Sequence, residues 1–254
     1  MKILLLLTRK RWYDKNKNIS LPGGRLMRNI QLKTVSTVDA ICNALEEDIF
    51  QLRFPAGAKI TENDMVSRYG ASRNTIREAI AYLLSNGLLV KVANKGVYVK
   101  EITQDDIQEL FHLRELLETE ALRTIYASGF IPMDLMRYAE ALERIDVTKD
   151  WDEYVRADCD FHALLVAAAG STRLSRLYET IATEVKLCIY QSHSYVPLRN
   201  ENTRQHRRIL EAIENGDLDN AIQILSSHIK NAIQNYAEGF QKQKERDTHQ
   251  QAVR

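Results

Sequence analysis

Tyr69-Gly70-Ala71-Ser72-Arg73-Asn74-Thr75-Ile76-Arg77-Glu78-Ala79-Ile80 decides how the first half of this chain folds. Gly70 can take the left-handed backbone that closes a helix, and Ser72 can cap the next one by accepting a backbone N–H from its first turn. A short helix joined to a longer one by so tight a turn is the pattern of a helix-turn-helix. Ile76, Ala79, Ile80, Leu83 and Leu84 recur on one face of the second helix. Arg73 and Arg77, four apart, project together from another. The N-terminal end of such a helix is the part that enters the major groove of DNA. Arginine can grip guanine O6 and N7 with two hydrogen bonds, and Asn74 and Thr75 can reach phosphates or base edges.

The flanks extend the pattern. Thr61 with Asp64 forms a capping box that opens the preceding short helix, which carries Arg68 and stops at Gly70. Ser36 with Asp39 opens an earlier helix, in which Val38, Ile41, Leu45 and Ile49 share a face to near Phe50, and Pro55-Ala56-Gly57 breaks the chain after it. Gly87 is placed to end the longer helix. Residues 89–93 and 97–100 read as two short strands around the turn Asn94-Lys95-Gly96. Residues 35–101 therefore predict a winged helix-turn-helix that binds double-stranded DNA. Residues 68–100 hold six basic residues against the single acid Glu78, while Asp39, Glu46, Glu47 and Asp48 on the first helix are expected to face away from DNA. The candidate contacts are Arg68, Ser72, Arg73, Asn74, Thr75 and Arg77, with Lys95 and Gly96 at the wing tip. Singly, each would read as an ordinary solvated residue. Turn, caps and wing together single them out.

Beyond Thr103 the periodicity is helical throughout. Thr103 with Asp106 opens a long helix carrying Leu110, Leu113, Leu117 and Ala121, and further helices are predicted at about 133–145, 151–169, 172–192, 202–215 and 217–243. Gly129, Gly170 and Gly216 punctuate them, and the polar residues after Gln243 are expected to fray. The fold class is mainly α: a winged helix-turn-helix followed by an all-α bundle over 103–243. Within that bundle Asp158 and His162 lie four apart on one helix, and His206 and His228 follow on later helices among Ile209, Ile213, Leu225 and Ile229. Three imidazoles and a carboxylate suit a divalent metal ion, zinc foremost, with nickel, manganese or iron as alternatives. A single histidine on a half-apolar face is ordinarily a core residue, so the spacing alone leaves both readings open. Cys159 sits about 100° off the ligand face, and His112, His193 and His249 belong to no partner pattern.

Bulk properties exclude several classes. An apolar fraction of 44% with 27% charged residues is that of a soluble globular protein. Cys42, Cys159 and Cys188 form neither a disulfide framework nor a CxxC pair, which fits a reducing, cytoplasmic setting. The apolar run from Ile3 to Leu7 is too short for a membrane span and is followed by Arg9, Lys10 and Arg11 without a cleavage motif, so no membrane partner is expected. Residues 1–34 lack periodicity and are expected to be disordered. Residues 1–26 carry seven basic residues against one acid, so they could form an arm on DNA phosphates. The favoured expectation is instead an upstream extension with translation starting at Met27, because Leu21-Pro22-Gly23-Gly24-Arg25 sits just before it and Gly-Gly-Arg is what a purine-rich ribosome-binding sequence encodes.

Residues 35–101 resemble the winged-helix domain of the GntR family of bacterial regulators. The match is carried by Pro55-Ala56-Gly57, Thr61-Glu62, Tyr69-Gly70-Ala71-Ser72-Arg73, Arg77-Glu78-Ala79, Leu83, Asn86-Gly87-Leu88 and Gly96-Val97-Tyr98-Val99. Many relatives have arginine where this chain has Asn63. Asp158-Cys159-Asp160-Phe161-His162, Leu164-Leu165, Ala168-Ala169-Gly170, the run His206-Arg207-Arg208-Ile209-Leu210-Glu211-Ala212-Ile213, then Asp217, Ala221 and His228, resemble the FCD ligand-binding domain of the FadR branch. A homodimer on an inverted-repeat operator is expected, a repressor before an activator. The resemblance implies a divalent metal at Asp158, His162, His206 and His228. It also implies a small organic-acid effector near Arg114, in Leu113-Arg114-Glu115-Leu116-Leu117-Glu118, where the plainer expectation is an ion pair with Glu118 one turn on. The competing function is a metal-dependent hydrolase using the same Asp/His set. Against it, the sequence offers no general base at a motif spacing, no nucleophile elbow and no phosphate loop.

Overall fold

The computed structural model describes residues 36–192 and 201–252, the side chains of residues 201, 202, 240 and 242–252 excepted. The expectations for residues 1–34 and for the side chains of His193 and His249 fall outside the described residues.

Local hydrogen bonding starts each N-terminal element. Helix α1 (Thr37–Phe50) begins where Ser36 accepts the Asp39 N–H at 3.1 Å. After strand β1 (Lys59–Ile60), Thr61 caps α2 (Glu62–Tyr69), and Ser72 caps α3 (Arg73–Ser85) through the Thr75 N–H at 3.2 Å. Gly87 ends α3 with φ of 74°: its N–H bonds the Leu84 carbonyl and the Leu88 N–H bonds the Leu83 carbonyl, the paired bonds of a Schellman motif. Strands β2 (Leu89–Val92) and β3 (Gly96–Val99) form the wing, and β1 adds to the free side of β3 in the antiparallel order β1-β3-β2. Leu45, Ile49, Met65, Ile76, Leu83 and Leu88 fill the space between them and are fully buried. Each such side chain contributes about 1.5–3 kcal/mol of transfer free energy.

The C-terminal bundle comprises α4 (Gln104–Ser128), α5 (Met133–Glu143), α6 (Trp151–Ala168), α7 (Thr172–Ser192), α8 (Glu201–Glu214) and α9 (Leu218–Ala252). At Thr103 both halves of the capping box with Asp106 are formed. No helix among the described residues is long and apolar enough to cross a membrane. Two expectations are corrected. Helix α9 continues past Gln243 to Ala252, since no glycine or proline intervenes to stop it. Leu113 does not join the buried stripe of α4: it is 44% exposed, and Leu116 is 55% exposed. The inward face is Ile107, Leu110, Phe111, Arg114, Glu118, Ala121, Leu122 and Ile125. Leucines surround this helix, so hydrophobicity alone does not choose its face. Packing against α6, α7 and α9 does.

Of the four acids of α1, Asp39 is exposed and Glu47 half-buried, while Glu46 and Asp48 are buried. Asp48 is 6% exposed and accepts from Arg53 at 2.5 Å, Arg68 Nε at 2.6 Å and the Tyr69 hydroxyl at 2.7 Å. Burial would push its carboxyl up, but these three donors outweigh it and hold the group below the usual carboxylate range. Glu47 instead accepts from Arg156 of α6 at 2.6 Å. That bond is one of several between the two halves. Phe50 stacks on Tyr190 of α7 with ring centroids 5.2 Å apart, and Lys186 lies 4.6 Å over the Phe50 ring. Lys100 pairs with Glu184 of α7. Gln191 of α7 spans the connection itself, donating to the Lys100 carbonyl at 2.8 Å and accepting from the Ile102 N–H at 3.1 Å.

Asp48→Asn should destabilise the protein by about 1–3 kcal/mol, because it strips charge from a buried carboxylate on which three donors converge. With a lowered folded-state pKa, the stability from Asp48 is present above the ordinary carboxylate range and fades as pH falls. Urea titrations of both proteins at pH 7 and pH 4 should therefore show the gap narrowing in acid.

Candidate functional site

The helix-turn-helix places its candidates as the sequence suggests in position, though not always in freedom. Ser72, Arg73, Asn74 and Arg77 are exposed at the start of α3, with Thr75 half-buried beside them. Ser72 and Thr75 are occupied by the cap, their hydroxyls 2.9 Å apart. Arg77 donates to Glu62 of α2 at 2.8 Å, an exposed pair that strongly charged competitors can break. Arg68 is turned to Asp48, and its guanidinium lies 5.1 Å over the Phe54 ring, so it braces the domain while its side chain stays 43% exposed. Lys95 is exposed at the wing tip, and Tyr98 donates to its carbonyl at 3.1 Å. Asn94 at φ 60° and Gly96 at φ 119° supply the tight turn. Lys59 escaped sequence reasoning. Its strand pairs it opposite Tyr98, and its side chain lies against Gly96, adding a cation beside the wing tip.

Asp158 and His162 of α6, His206 of α8 and His228 of α9 meet inside the bundle, with ligand atoms all within 4.8 Å of one another. Their exposures are 5%, 0%, 0% and 7%. Outer partners fix the imidazole tautomers. His162 Nδ1 faces Glu118 Oε2 at 2.7 Å, His206 Nδ1 faces the Thr203 carbonyl at 3.3 Å, and His228 Nδ1 faces Gln205 Oε1 at 2.9 Å. Each partner is an acceptor, so each Nδ1 carries the proton and each Nε2 keeps a lone pair. His162 Nε2 and His206 Nε2 stand 3.2 Å apart, and Asp158 Oδ1 lies 3.0 Å from His206 Nε2 and 3.9 Å from His162 Nε2. Phe161 sets its ring edge-on to His162 and His206, so one wall is dry. Lone pairs converging at a buried point repel each other and attract a cation. The donor set fits a divalent metal of the zinc type.

Electrostatics agree. Burial would raise the Asp158 carboxyl, but His206 and His162 beside it and the Arg114 charge hold it far below the usual range. Burial would raise Glu118 too, but His162 and Arg114 bring it down to about 2. Burial is the main cause that lowers His162, joined by the Arg114 charge, and that lowers His228 well below an ordinary histidine. Both stay neutral, as metal ligands must. Arg114 is 2% exposed; its Nε donates to Glu118 Oε1 at 2.7 Å, and its Nη2 has no hydrogen-bond partner among the described residues. The expected ion pair is present, and a buried donor is left over. Sequence reasoning missed the outer partners: Glu118 as the acceptor for His162, Gln205, and Tyr154, whose hydroxyl donates to Asp158 at 3.3 Å. Only the i,i+4 spacing of Arg114 and Glu118 hinted at them. His112 is exposed, and Cys159, its thiol pushed up to about 12 by burial, packs against the core.

Comparison with known proteins follows this division. Residues 37–99 match the bacterial regulatory proteins of the gntR family, and residues 109–231 match the FCD domain. The chain is 26% identical over 209 residues to the HTH-type transcriptional regulator BphR of Paraburkholderia xenovorans, covering 78% of this chain and 84% of that one. It is 25% identical over 196 residues to the HTH-type transcriptional repressor RspR of Escherichia coli, covering 75% and 84%. A crystal structure of a GntR transcriptional regulator from a Rhodococcus species superposes with a TM-score of 0.67 at 28% identity, covering 80% of this chain and 98% of that one.

In metal-free protein, stability should fall as pH drops. Lowered histidines take up protons more readily unfolded than folded, so their contribution starts to fade below about pH 6.5, and the lowered carboxyls add to the loss below about pH 4. Thermal unfolding between pH 8 and pH 4 in the presence of a chelator checks this, and a flat profile would contradict the burial described here.

Proposed function

This chain belongs to the gntR family of bacterial regulatory proteins and carries an FCD domain, and from that premise we propose that it is a metal-dependent, effector-controlled repressor. The family and its named relatives are DNA-binding transcription regulators and not enzymes, which sets the hydrolase alternative aside. The observation that carries the finer reading is the convergence of three imidazole Nε2 atoms and one carboxylate oxygen on a single buried point. Asp158, His162, His206 and His228 would hold a divalent ion, zinc before nickel, manganese or iron. That ion would supply a fixed positive charge with coordination positions left for a ligand.

Arg114 complements it. Its unpartnered Nη2 is suited to one oxygen of a carboxylate, so a small organic acid held between the arginine and the metal centre is the proposed effector. The effector would act on DNA binding through two helices. Helix α6 carries Asp158 and His162 and, close before them, Arg156, which grips Glu47 of α1. Helix α7 carries Glu184 and Gln191, which hold residues 100–102. A shift of either helix would move the recognition helix α3. In a homodimer on an inverted repeat, that changes the spacing of the two recognition helices against the half-sites. Coupling of this kind is typically worth about 1–3 kcal/mol, or roughly 5–150-fold in operator affinity. Residues 68–100, with Arg73, Asn74 and Arg77 toward bases and Lys95 toward phosphate, supply the DNA surface, and the proposed place of action is the cytoplasm.

In gel-shift titrations at fixed salt, Arg77→Ala should weaken operator binding about tenfold or more and relax base preference. Lys95→Ala should weaken all sequences alike and reduce the salt slope by about one. Unchanged affinity in both would refute the placement of α3 in the groove.

His206→Ala combined with His228→Ala should abolish stoichiometric metal by mass spectrometry and remove the thermal shift given by a screened organic acid. At about 100 times its dissociation constant such a ligand adds about 2.7 kcal/mol to the wild type. DNA binding without effector should persist. Retained metal with a normal effector response would defeat the site.

A further inference from the structure

Glu118 is not one of the four converging ligands, yet it is as buried as any of them, at 0% exposure. Its two oxygens face different ways. Oε2 accepts from His162 Nδ1 at 2.7 Å, while Oε1 accepts from Arg114 Nε at 2.7 Å and from the Tyr178 hydroxyl at 3.2 Å. One carboxylate thus joins a metal-facing imidazole to the arginine whose Nη2 is left over. A carboxylate on the far nitrogen of a ligating histidine fixes the ring and makes the near nitrogen a stronger donor. The negative charge that does this is here shared with a buried guanidinium.

We propose that Glu118 is the positioning residue of the metal centre, orienting His162 and linking the centre's affinity for metal to the charge state around Arg114. The proposal rests on the reading of the four residues as a metal site. An anion that engages Arg114 draws the guanidinium's charge away from Glu118. More of the carboxylate's charge then bears on His162, so metal and anion strengthen each other's binding. Reciprocity of the two affinities is a thermodynamic necessity. The competing role is purely structural, with Glu118 serving only as the counter-ion that keeps Arg114 from being buried unpaired.

Zinc affinity separates the two. The full chain is compared with Glu118→Gln, Arg114→Met and the double variant, each titrated with zinc against a chromophoric chelator at one pH. Glu118→Gln should weaken zinc about 10–100-fold. Arg114→Met should tighten zinc, and by a smaller factor when Glu118→Gln is also present, because the two groups act through one hydrogen bond. Imidazole ¹⁵N spectra of metal-free protein should show His162 protonated on Nδ1 in the wild type and shifted toward the Nε2 form in Glu118→Gln. If Glu118→Gln alone does not fold, Arg114→Met against the double variant measures the same effect without an unpaired arginine. Equal zinc affinity with and without Glu118→Gln, in a wild type that binds zinc, overturns the proposal and leaves a counter-ion. Effects of the two substitutions that simply multiply overturn the link to Arg114. A wild type that takes up no zinc fails earlier, at the metal site itself.

Discussion

Between the last strand of the wing and the capped start of α4 the chain has three residues, and one buried side chain holds them. Gln191 presents an amide N–H to the Lys100 carbonyl and an amide oxygen to the Ile102 N–H. Two backbone groups that leave the sheet before they can enter the helix would otherwise be buried without partners, at a cost comparable to lost hydrogen bonds. This clasp fixes the direction in which α4 departs. Lys100 reinforces it by pairing with Glu184, whose side chain fills the space where a Cβ on Gly87 would stand, 2.6 Å from the nearest carboxylate oxygen. Gly87 therefore serves two needs at once: the left-handed end of α3 and the close approach of α7.

The same contacts make the two halves one mechanical object. Helix α7 touches the winged domain through Tyr190, Lys186, Glu184 and Gln191, and α6 touches it through Arg156. Both helices also wall the polar centre of the bundle, through Tyr178 on α7 and Asp158 and His162 on α6. A bundle of this size could have closed on aliphatic side chains alone. Burying an arginine, a glutamate, an aspartate and three histidines is costly, and such a group persists when every charge is partnered or coordinates something. The Arg114–Glu118–His162 chain supplies partners for most of it, and the converging Nε2 atoms supply the place for a cation.

Capping and turn chemistry were legible in the sequence because they are local. Ser36, Thr61, Ser72 and Thr103 each accept an N–H three residues on, and Gly70, Gly87, Gly129 and Gly216 each sit in the left-handed region. The four residues of the proposed metal site were legible as residue types at helical spacing, and the resemblance to known regulators joined them across the chain. The tertiary structure alone decided which face of α4 turns inward. Leu113 and Glu118 compete for burial there, and the sequence pattern favours the leucine. It decided that Asp48 gathers Arg68 instead of facing solvent, and that Arg77 rests on Glu62. It decided that Lys59 stands beside Gly96, through a strand pairing that spans the helix-turn-helix. It also decided that Glu118 meets His162, 44 residues away. The division has one physical cause. A cap or a turn needs only the backbone within one turn of it, whereas the partner of a buried charge is chosen by whatever side chain packing brings within 3 Å.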